Sequence, residues 1–164
     1  LRLGYPGGPI IDKISKSIGE VENIFTVPDV KNSLDYSFSG IKTQVLYYVK
    51  GLNKKLTQKE RFKIAKSFQI SVVESLLNKL ELAVNKFHVR NIVVCGGVSA
   101  NSYLREKLKE RFKGFNLFIP QLKYCGDNAG MMGVCMYRRI EKGIYEDLLE
   151  IDDMLRGDMR DFSG

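Results

Sequence analysis

The alternation of hydrophobic periods between residues 60 and 142 constrains the fold of this chain more than any other sequence feature. Segments with apolar residues every three to four positions, typical of helices, alternate with short apolar runs of strand length. In chain order these segments are Gln58–His88, Asn91–Cys95, Asn101–Phe112, Asn116–Pro120 and Asp127–Lys142. The order helix, strand, helix, strand, helix predicts an α/β fold with parallel strands joined by helical crossovers.

Two details of these segments lead to further expectations. The long helix carries a polar residue at Gln69, where we expect an interruption. The run Ile92-Val93-Val94 is continuous rather than alternating, which predicts a strand covered on both faces. Two glycines, Gly96 and Gly97, then end this strand.

The first 57 residues have a weaker pattern. The predicted elements are a turn-rich start over 1–9, a helix over 10–18, extended or loop structure over 20–40 and a helix over 41–52. We therefore divide the chain into an amino-terminal region of loop, helices and linker over 1–57, an α/β core over 58–143 and a C-terminal extension over 144–164.

Composition narrows the class of protein. The 164 residues, 44% of them apolar, suffice for one buried core. No apolar run reaches the roughly 20 residues that span a bilayer, and the first nine residues lack a signal-peptide pattern. Three cysteines without metal-type spacing favour a reducing, cytoplasmic setting. The net charge of +7 fits a polyanionic partner or simply a lysine-rich surface, because no aromatic-interleaved basic motif is present. Since the chain does not begin with Met, we expect that part of the protein precedes Leu1.

The segment from Cys95 to Asn101 joins the first predicted strand to a helix. Gly96 and Gly97 have no side chains, so a flat ligand can approach the backbone there. The helix start is expected to offer unpaired amides and a partial positive charge to a phosphate, and Asn101 can hydrogen-bond a ribose or a base. The alternative is a tight turn in which Asn101 or Ser99 caps the helix.

The segment from Tyr124 to Gly130 leads into the third core helix. Asp127 at the start of this helix could ligate a cation, or it could be an ordinary helix cap. Adjacent parallel strands end on the same side of a sheet, where ligands of open α/β folds bind. Asn101 and Asp127 both follow such strand ends, and we therefore expect them to face one crevice.

Two segments near the amino terminus are also candidates. Gly7 and Gly8 allow close backbone approach, and Asp12 could accept a hydrogen bond from a ribose hydroxyl or else be a solvated side chain. In Leu34–Thr43 hydroxyl and aromatic residues alternate, which predicts an extended segment with one packed and one polar face.

The sequence lacks the residues of several catalytic sites. Its only histidine, His88, ends the long helix and is expected to be structural. No His-x-x-x-His or His-Glu-x-x-His pair exists, so the chain cannot complete a histidine metal site by itself. No Ser-His-Asp or Cys-His arrangement is evident. We therefore do not expect a self-contained hydrolase.

Five segments together resemble the TsaD family, long labelled O-sialoglycoprotein endopeptidase or Gcp. They occur in the family's order and at compatible spacing, and each is weak on its own whereas five in order are specific. The segments are Tyr5-Pro-Gly-Gly-Pro9, Asp35–Thr43, Ser67–Gln69, Gly96–Asn101 and Cys125–Met131.

The resemblance implies an actin-like ATPase fold (ASKHA, ribonuclease H-like), with this chain as its second lobe with inserted helices and the first lobe upstream. It implies transfer of threonylcarbamoyl from threonylcarbamoyl-AMP to N6 of the adenosine beside the anticodon of a tRNA. By motif, Gly8, Asp12 and Asn101 would contact the nucleotide, while Gly96 and Gly97 would leave room for it. It also implies a cytoplasmic enzyme whose partners are tRNA, a TsaB-like paralogous scaffold protein and a TsaE-like P-loop ATPase, with no membrane.

The resemblance further implies one divalent metal ion per full-length subunit, iron or zinc or else magnesium. Asp127 would be the one ligand in this chain, because the family's histidine pair and phosphate-binding loop belong to the first lobe. We therefore expect the chain alone neither to hold metal tightly nor to catalyse transfer. The chain departs from the family pattern at Gly126, Tyr36 and Ser99, where Thr, Phe and Ala are common. Gly126 should make the loop before Asp127 more flexible.

Three alternative functions remain open from the sequence. A kinase lobe of the same superfamily would need a second acidic residue to act as a base, and the sequence does not place one. A non-catalytic scaffold paralogue would lack the nucleotide motifs that this chain keeps. A metalloprotease, as the old label suggests, would need a zinc-peptidase signature.

Overall fold

The computed structural model describes residues 1–27, 33–126 and 129–144, and the chain divides into two compact units, 1–126 and 127–164. The described part of the first unit contains four α-helices and two strands. They are α1 Gly7–Ser17, α2 Ser39–Gly51, α3 Gln58–Phe87, β1 Asn91–Val93, α4 Ser102–Arg111 and β2 Asn116–Phe118. Two short 3-10 turns, Gly97–Ala100 and Leu122–Tyr124, follow the two strands. The described part of the second unit is one helix, α5 Ala129–Glu141.

The two strands form a small parallel sheet. Ile92 of β1 lies opposite Leu117 of β2, and α4 connects the two strands. The sequence-based prediction of an α/β fold with parallel strands is therefore confirmed.

Helix α3 is the longest element, and its ends follow from local chemistry. The Thr57 side chain accepts a hydrogen bond from the backbone N–H of Glu60, and the Glu60 side chain accepts one from the backbone N–H of Thr57. The helix ends where His88 adopts a left-handed backbone conformation with φ of 52°. His88 is thus the C-cap of α3, as its expected structural role requires.

Two apolar clusters lie along α3. Near its carboxyl half, Leu77 and Val84 pack with Ile92 of β1 and with Leu104 and Leu108 of α4. Near its amino half, Ile64 packs with Ile41 of α2 and with Phe25. Because one continuous helix contributes to both clusters, it fixes α2 at one end and the sheet at the other.

Three sequence-based expectations about these elements are wrong. Helix α3 runs through Gln69 without interruption, because this side chain is buried and bonded to Ser15 of α1. Strand β1 is covered on one face only, since Ile92 is buried while 71% of Val93 is exposed.

The third error concerns Leu34–Thr43, which is not extended throughout. Helix α2 already begins at Ser39, and the stacked rings of Tyr36 and Phe38 are both exposed rather than packed. The loop prediction for 20–40 is confirmed over 20–27 and 33–38, while residues 28–32 lie outside the described chain. None of the described helices is long and apolar enough to cross a bilayer.

Candidate functional site

The turn after β1 leaves open space beside its two glycines. Gly96 has a φ of +83°, a conformation that other residues rarely adopt, and it leads into the 3-10 turn. A Cβ atom placed on either Gly96 or Gly97 would meet no other atom within 4 Å. The buried Ser99 hydroxyl holds the turn by donating a 2.7 Å hydrogen bond to the carbonyl of Gly96. The departure from the family pattern at Ser99 is therefore accommodated by a hydrogen bond.

The amino end of α4 is largely satisfied by protein atoms. The Asn101 side-chain oxygen accepts a 2.9 Å bond from the backbone N–H of Leu104, so Asn101 is the helix cap. The backbone N–H of Asn101 bonds the carbonyl of Val98, and that of Ser102 bonds a carboxylate oxygen of Asp12. Three of the four N–H groups that a helix start normally leaves unpaired thus have acceptors.

This arrangement corrects the expectation that the start of α4 offers its amides to a phosphate. In the part of the chain that the structure describes, the backbone N–H groups of Gly97 and Val98 have no hydrogen-bond acceptor. These two donors stand beside the open space at the glycines. An anionic ligand would therefore meet the turn itself rather than the first turn of α4.

Asp12 joins three helices. Its Oδ1 atom accepts bonds from the backbone N–H and the hydroxyl of Ser102 in α4, at 3.1 and 2.7 Å. The same oxygen accepts a 3.3 Å bond from the side-chain amide of Gln69 in α3. Only 16% of the Asp12 side chain is exposed, so it is not the solvated residue of the alternative interpretation. Its Oδ2 atom lies 3.7 Å from the Lys16 ammonium and makes no hydrogen bond with a described residue.

Two turns border the same cavity. One is the amino-terminal turn, residues 4–9, and the other is the glycine turn, residues 96–100. Gly7 and Val98 both line a largely apolar space of about 800 Å³, which Lys42 also reaches. Gly8 stands next to Gly7 in the first turn of α1, and a Cβ atom there would meet nothing within 4 Å. Among the described residues, no Asp or Glu lines this cavity. None of the five residues expected to contact the nucleotide is among its lining residues, and its described walls supply no carboxylate base. Those five are Gly8, Asp12, Gly96, Gly97 and Asn101.

The loops after the two strands are joined by Arg105, which sequence reasoning missed. Its guanidinium donates from Nε to the carbonyl of Ser99 at 2.6 Å and from Nη2 to the carbonyl of Pro120 and, at 3.1 Å, to the sulfur of Cys125.

The loops after β1 and β2 therefore meet at one edge of the sheet, as the parallel order predicted. The residue expected to ligate metal, Asp127, lies outside the described residues, and so does Asn128. Within the described ranges, no group of three or more His, Cys, Asp or Glu side chains is placed to hold a metal ion. The metal assignment of Asp127 stays a prediction.

The remaining family-like segments have positions that support the site. Ser67 is buried, and its hydroxyl oxygen accepts a 2.7 Å bond from the backbone N–H of Ile24. Gln69 of the same segment bonds both Ser15 and Asp12 of α1, so Ser67–Gln69 positions the amino-terminal region on α3. Farther away, partial desolvation raises the pKa of Tyr36, although 45% of this residue is exposed, and the nearby charge of Lys79 partly offsets the rise.

Comparisons with known proteins agree on one family. The family described as "TsaD: tRNA N6-adenosine threonylcarbamoyltransferase" matches residues 1–134. A tRNA N6-adenosine threonylcarbamoyltransferase of Dictyoglomus turgidum is 48% identical over 152 residues, covering 90% of this chain and 45% of the relative. Proteins of the same name from Mycoplasmopsis synoviae and Thermosipho africanus are each 46% identical, over 87% and 90% of this chain. The chain spans about 45% of the length of these relatives.

Proposed function

Because this chain belongs to the TsaD family of tRNA N6-adenosine threonylcarbamoyltransferases, we propose that it is the nucleotide-binding second lobe of such an enzyme. The lobe would have the actin-like ATPase fold, with the helices that precede the strands inserted before its α/β core. The observation that carries this proposal is the meeting of the amino-terminal turn and the glycine turn at one cavity, where Gly7 and Val98 face the same space.

The proposed reaction transfers threonylcarbamoyl from threonylcarbamoyl-AMP to a tRNA adenosine beside the anticodon. The N6 nitrogen forms a bond to the carbamoyl carbonyl carbon, the bond from that carbon to the phosphate oxygen breaks, and AMP leaves. The N6 nitrogen loses a proton to solvent in the same overall step. This chemistry needs an activated acyl donor held in place.

The residues of this chain would bind and orient the adenylate. Gly8, Gly96 and Gly97 leave space for its planar and sugar groups, and the N–H groups of Gly97 and Val98 are donors for its oxygens. The cap bond occupies the oxygen of the Asn101 amide, so its nitrogen would donate to the nucleotide. Asp12 would reach a ribose hydroxyl through Oδ2, because Oδ1 is occupied by Ser102 and Gln69.

The proposal includes one divalent metal ion, iron, zinc or magnesium, with Asp127 as its ligand from this chain. A carboxylate oxygen suits any of these ions, but one carboxylate does not complete a site, so further ligands would come from other parts of the full-length subunit. When bound, such an ion would polarise the carbamoyl carbonyl or neutralise the phosphate. We also propose a cytoplasmic location and the partners tRNA, a TsaB-like scaffold protein and a TsaE-like P-loop ATPase.

The proposal is tested with a chimera in which the portion of the Dictyoglomus turgidum relative upstream of its match is joined to this chain. The metal-loaded chimera is incubated with tRNA, threonylcarbamoyl-AMP and the partner proteins, and the modified nucleoside is measured by mass spectrometry. We expect product, its collapse in Asp127→Ala, and no loss in the control Glu110→Ala, whose exposed carboxylate pairs with Lys107. The chain without the upstream portion should give no product.

Absence of product from a folded, metal-loaded chimera would refute the transferase assignment and favour the kinase or scaffold alternatives. Product from the chain without the upstream portion would refute the division of the site between two lobes. Full activity in Asp127→Ala would leave the transferase assignment standing and remove Asp127 from the metal site.

A further inference from the structure

We propose that Arg105 is a positioning residue that holds the glycine turn after β1 and the loop after β2 at a fixed separation, and thereby sets the shape of the adenylate site. The inference that the site takes an adenylate rests on the proposed function. The inference that one guanidinium links the two loops rests on contacts within this chain alone.

The contacts of Arg105 reach both loops from one side chain. Its Nε atom donates to the carbonyl of Ser99 at 2.6 Å, inside the 3-10 turn that follows the glycines. Its Nη2 atom donates to the carbonyl of Pro120, just beyond β2, and to the Cys125 sulfur at 3.1 Å. Pro120 lies 21 residues after Ser99 in the sequence, and Cys125 lies 26 residues after it. No other described side chain bonds both loops.

The acceptors explain why the residue must be an arginine. A guanidinium has several N–H donors in a rigid planar fork, so it can bond groups in different directions at once. A lysine ammonium at the end of a flexible stem has one nitrogen and cannot occupy the Nε and Nη2 positions together. The identity of the side chain, and not only its charge, therefore determines whether the loops are joined.

The charge of Arg105 is also not neutralised within the described chain. Its partners are two carbonyls and a thiol, and it makes no ion pair with a described carboxylate. By contrast, Arg111 on the same helix bonds Glu74 and Asn78 of α3. An arginine used only to attach α4 to α3 would have contacts like those of Arg111. The contacts of Arg105 point to the loops instead.

Consequently, removing the guanidinium should loosen two loops that are distant in sequence and leave the helical core intact. The apolar contacts of Leu104 and Leu108 hold α4 on α3 without help from Arg105. The Ser99 hydroxyl still bonds the carbonyl of Gly96, so the glycine turn keeps its local fold. What is lost is the link between this turn and the loop from Pro120 to Cys125.

The first experiment is hydrogen–deuterium exchange on the full 164-residue chain, comparing Arg105→Met and Arg105→Lys with the matched control Arg111→Met. We expect peptides covering 96–101 and 120–126 to exchange roughly tenfold faster in both Arg105 variants, with α3 peptides unchanged. Arg111→Met should leave both loops as in the wild type. Arg105→Lys decides the question if Arg105→Met does not fold.

The second experiment measures transfer kinetics in the chimera described above. We expect Arg105→Lys to raise the KM for threonylcarbamoyl-AMP by about tenfold, with kcat and the KM for tRNA close to wild type. A variant that only lowers the folded fraction would lower the apparent kcat and leave KM unchanged. Comparing the changes in KM and in kcat therefore distinguishes a positioning role of Arg105 from a loss of folded protein.

Several outcomes would overturn the proposal. The Arg105 guanidinium does not link the loops if only one loop exchanges faster. The same conclusion follows if α3 accelerates equally, or if Arg105→Lys exchanges like the wild type. A lower kcat with unchanged KM would show a general structural role. If the wild-type chimera itself gives no product, the proposed function fails, and the exchange experiment still decides whether Arg105 joins the loops.

Discussion

The amino ends of α3 and α4 are both capped, but they are built in different ways. At α3, Thr57 and Glu60 bond each other's backbone N–H groups within a span of four residues. At α4, Asn101 supplies the local cap, while the N–H of Ser102 is bonded by Asp12, which lies 90 residues earlier. The first end is completed within residues 54–60, whereas the second is completed only when α1 has docked.

The two helix ends therefore have different roles. The cap of α3 stabilises its own helix, whereas the cap of α4 also positions residues of the candidate site. The α3 cap is exposed, and its residues do not line the cavity that Gly7 and Val98 border. The α4 cap brings together α1, which supplies Asp12, and α3, which supplies Gln69. A cap assembled from distant segments makes the geometry of the cavity depend on the tertiary fold. Substitutions at the two helix ends test this dependence.

Removal of Asp12 should have the largest effect. In Asp12→Ala the N–H of Ser102 and the amide of Gln69 lose a partly buried acceptor, which should lower the free energy of unfolding by about 2 kcal/mol. Urea denaturation followed by circular dichroism measures this loss. Asp35→Ala is the control, because the exposed Asp35 bonds only Ser33 of its own loop. Equal losses in the two variants would contradict the tertiary role of Asp12.

Removal of the local cap at Asn101 should have a smaller effect. Asn101→Ala should lower the free energy of unfolding by about 1 kcal/mol, because only the bond to the N–H of Leu104 is lost. The double variant Asp12→Ala, Asn101→Ala should deviate from additivity, since both residues act on one helix end. Strict additivity of the measured losses would show that the two caps act independently.

The two helix ends also show what sequence patterns can predict. The spacing of apolar residues predicted α3 from Gln58 to within one residue of its observed end, because that spacing is regular along the helix and both caps are local. The parallel order of β1 and β2 followed from the alternation of helices and strands. Gly96, Gly97 and Asn101 could be placed at the strand end, because a glycine pair before a helix is a local signal.

The sequence-based predictions that were wrong or missing concern residues whose contacts come from distant segments. Nothing near Asp12 shows that its carboxylate meets Ser102, and nothing near Gln69 shows that its amide meets Asp12. Val93 resembles a buried strand residue, but its exposure is decided by how many layers cover the sheet. Arg105 was missed for the same reason, since its acceptors come from two loops rather than from its own helix.

Disruption of the α3 cap should have a smaller and more local effect than either change at α4. Thr57→Ala should lower the free energy of unfolding by about 0.5 kcal/mol, because Thr57 is exposed and water can replace its bond to Glu60. Hydrogen exchange should accelerate only in the first turn of α3. Acceleration in the loop 96–101 would show that the two helix ends are coupled, which the structure does not predict.

The smallest effect should be a dependence of stability on pH at the α3 cap, which the Asn101 amide does not share. Hydrogen bonds from Lys54 and from the backbone and side chain of Thr57 lower the pKa of Glu60 to about 2, from an ordinary value of 4.5. A carboxyl group with a lowered pKa in the folded state stabilises the protein fully above its unfolded pKa and loses this contribution as the pH falls toward the folded pKa. The difference in melting temperature between the wild type and Glu60→Gln should therefore be constant above about pH 5 and shrink between 4.5 and 2.

Asn101→Ala is the matched control for this measurement, because the Asn101 amide does not titrate. Its melting temperature should stay below that of the wild type by the same interval over the pH range in which the Glu60→Gln difference shrinks. A Glu60→Gln difference that persists unchanged from about pH 6 to pH 3 would show that the carboxylate charge does not contribute to the α3 cap. The α3 cap would then act through its hydrogen bonds and not through the charge of Glu60.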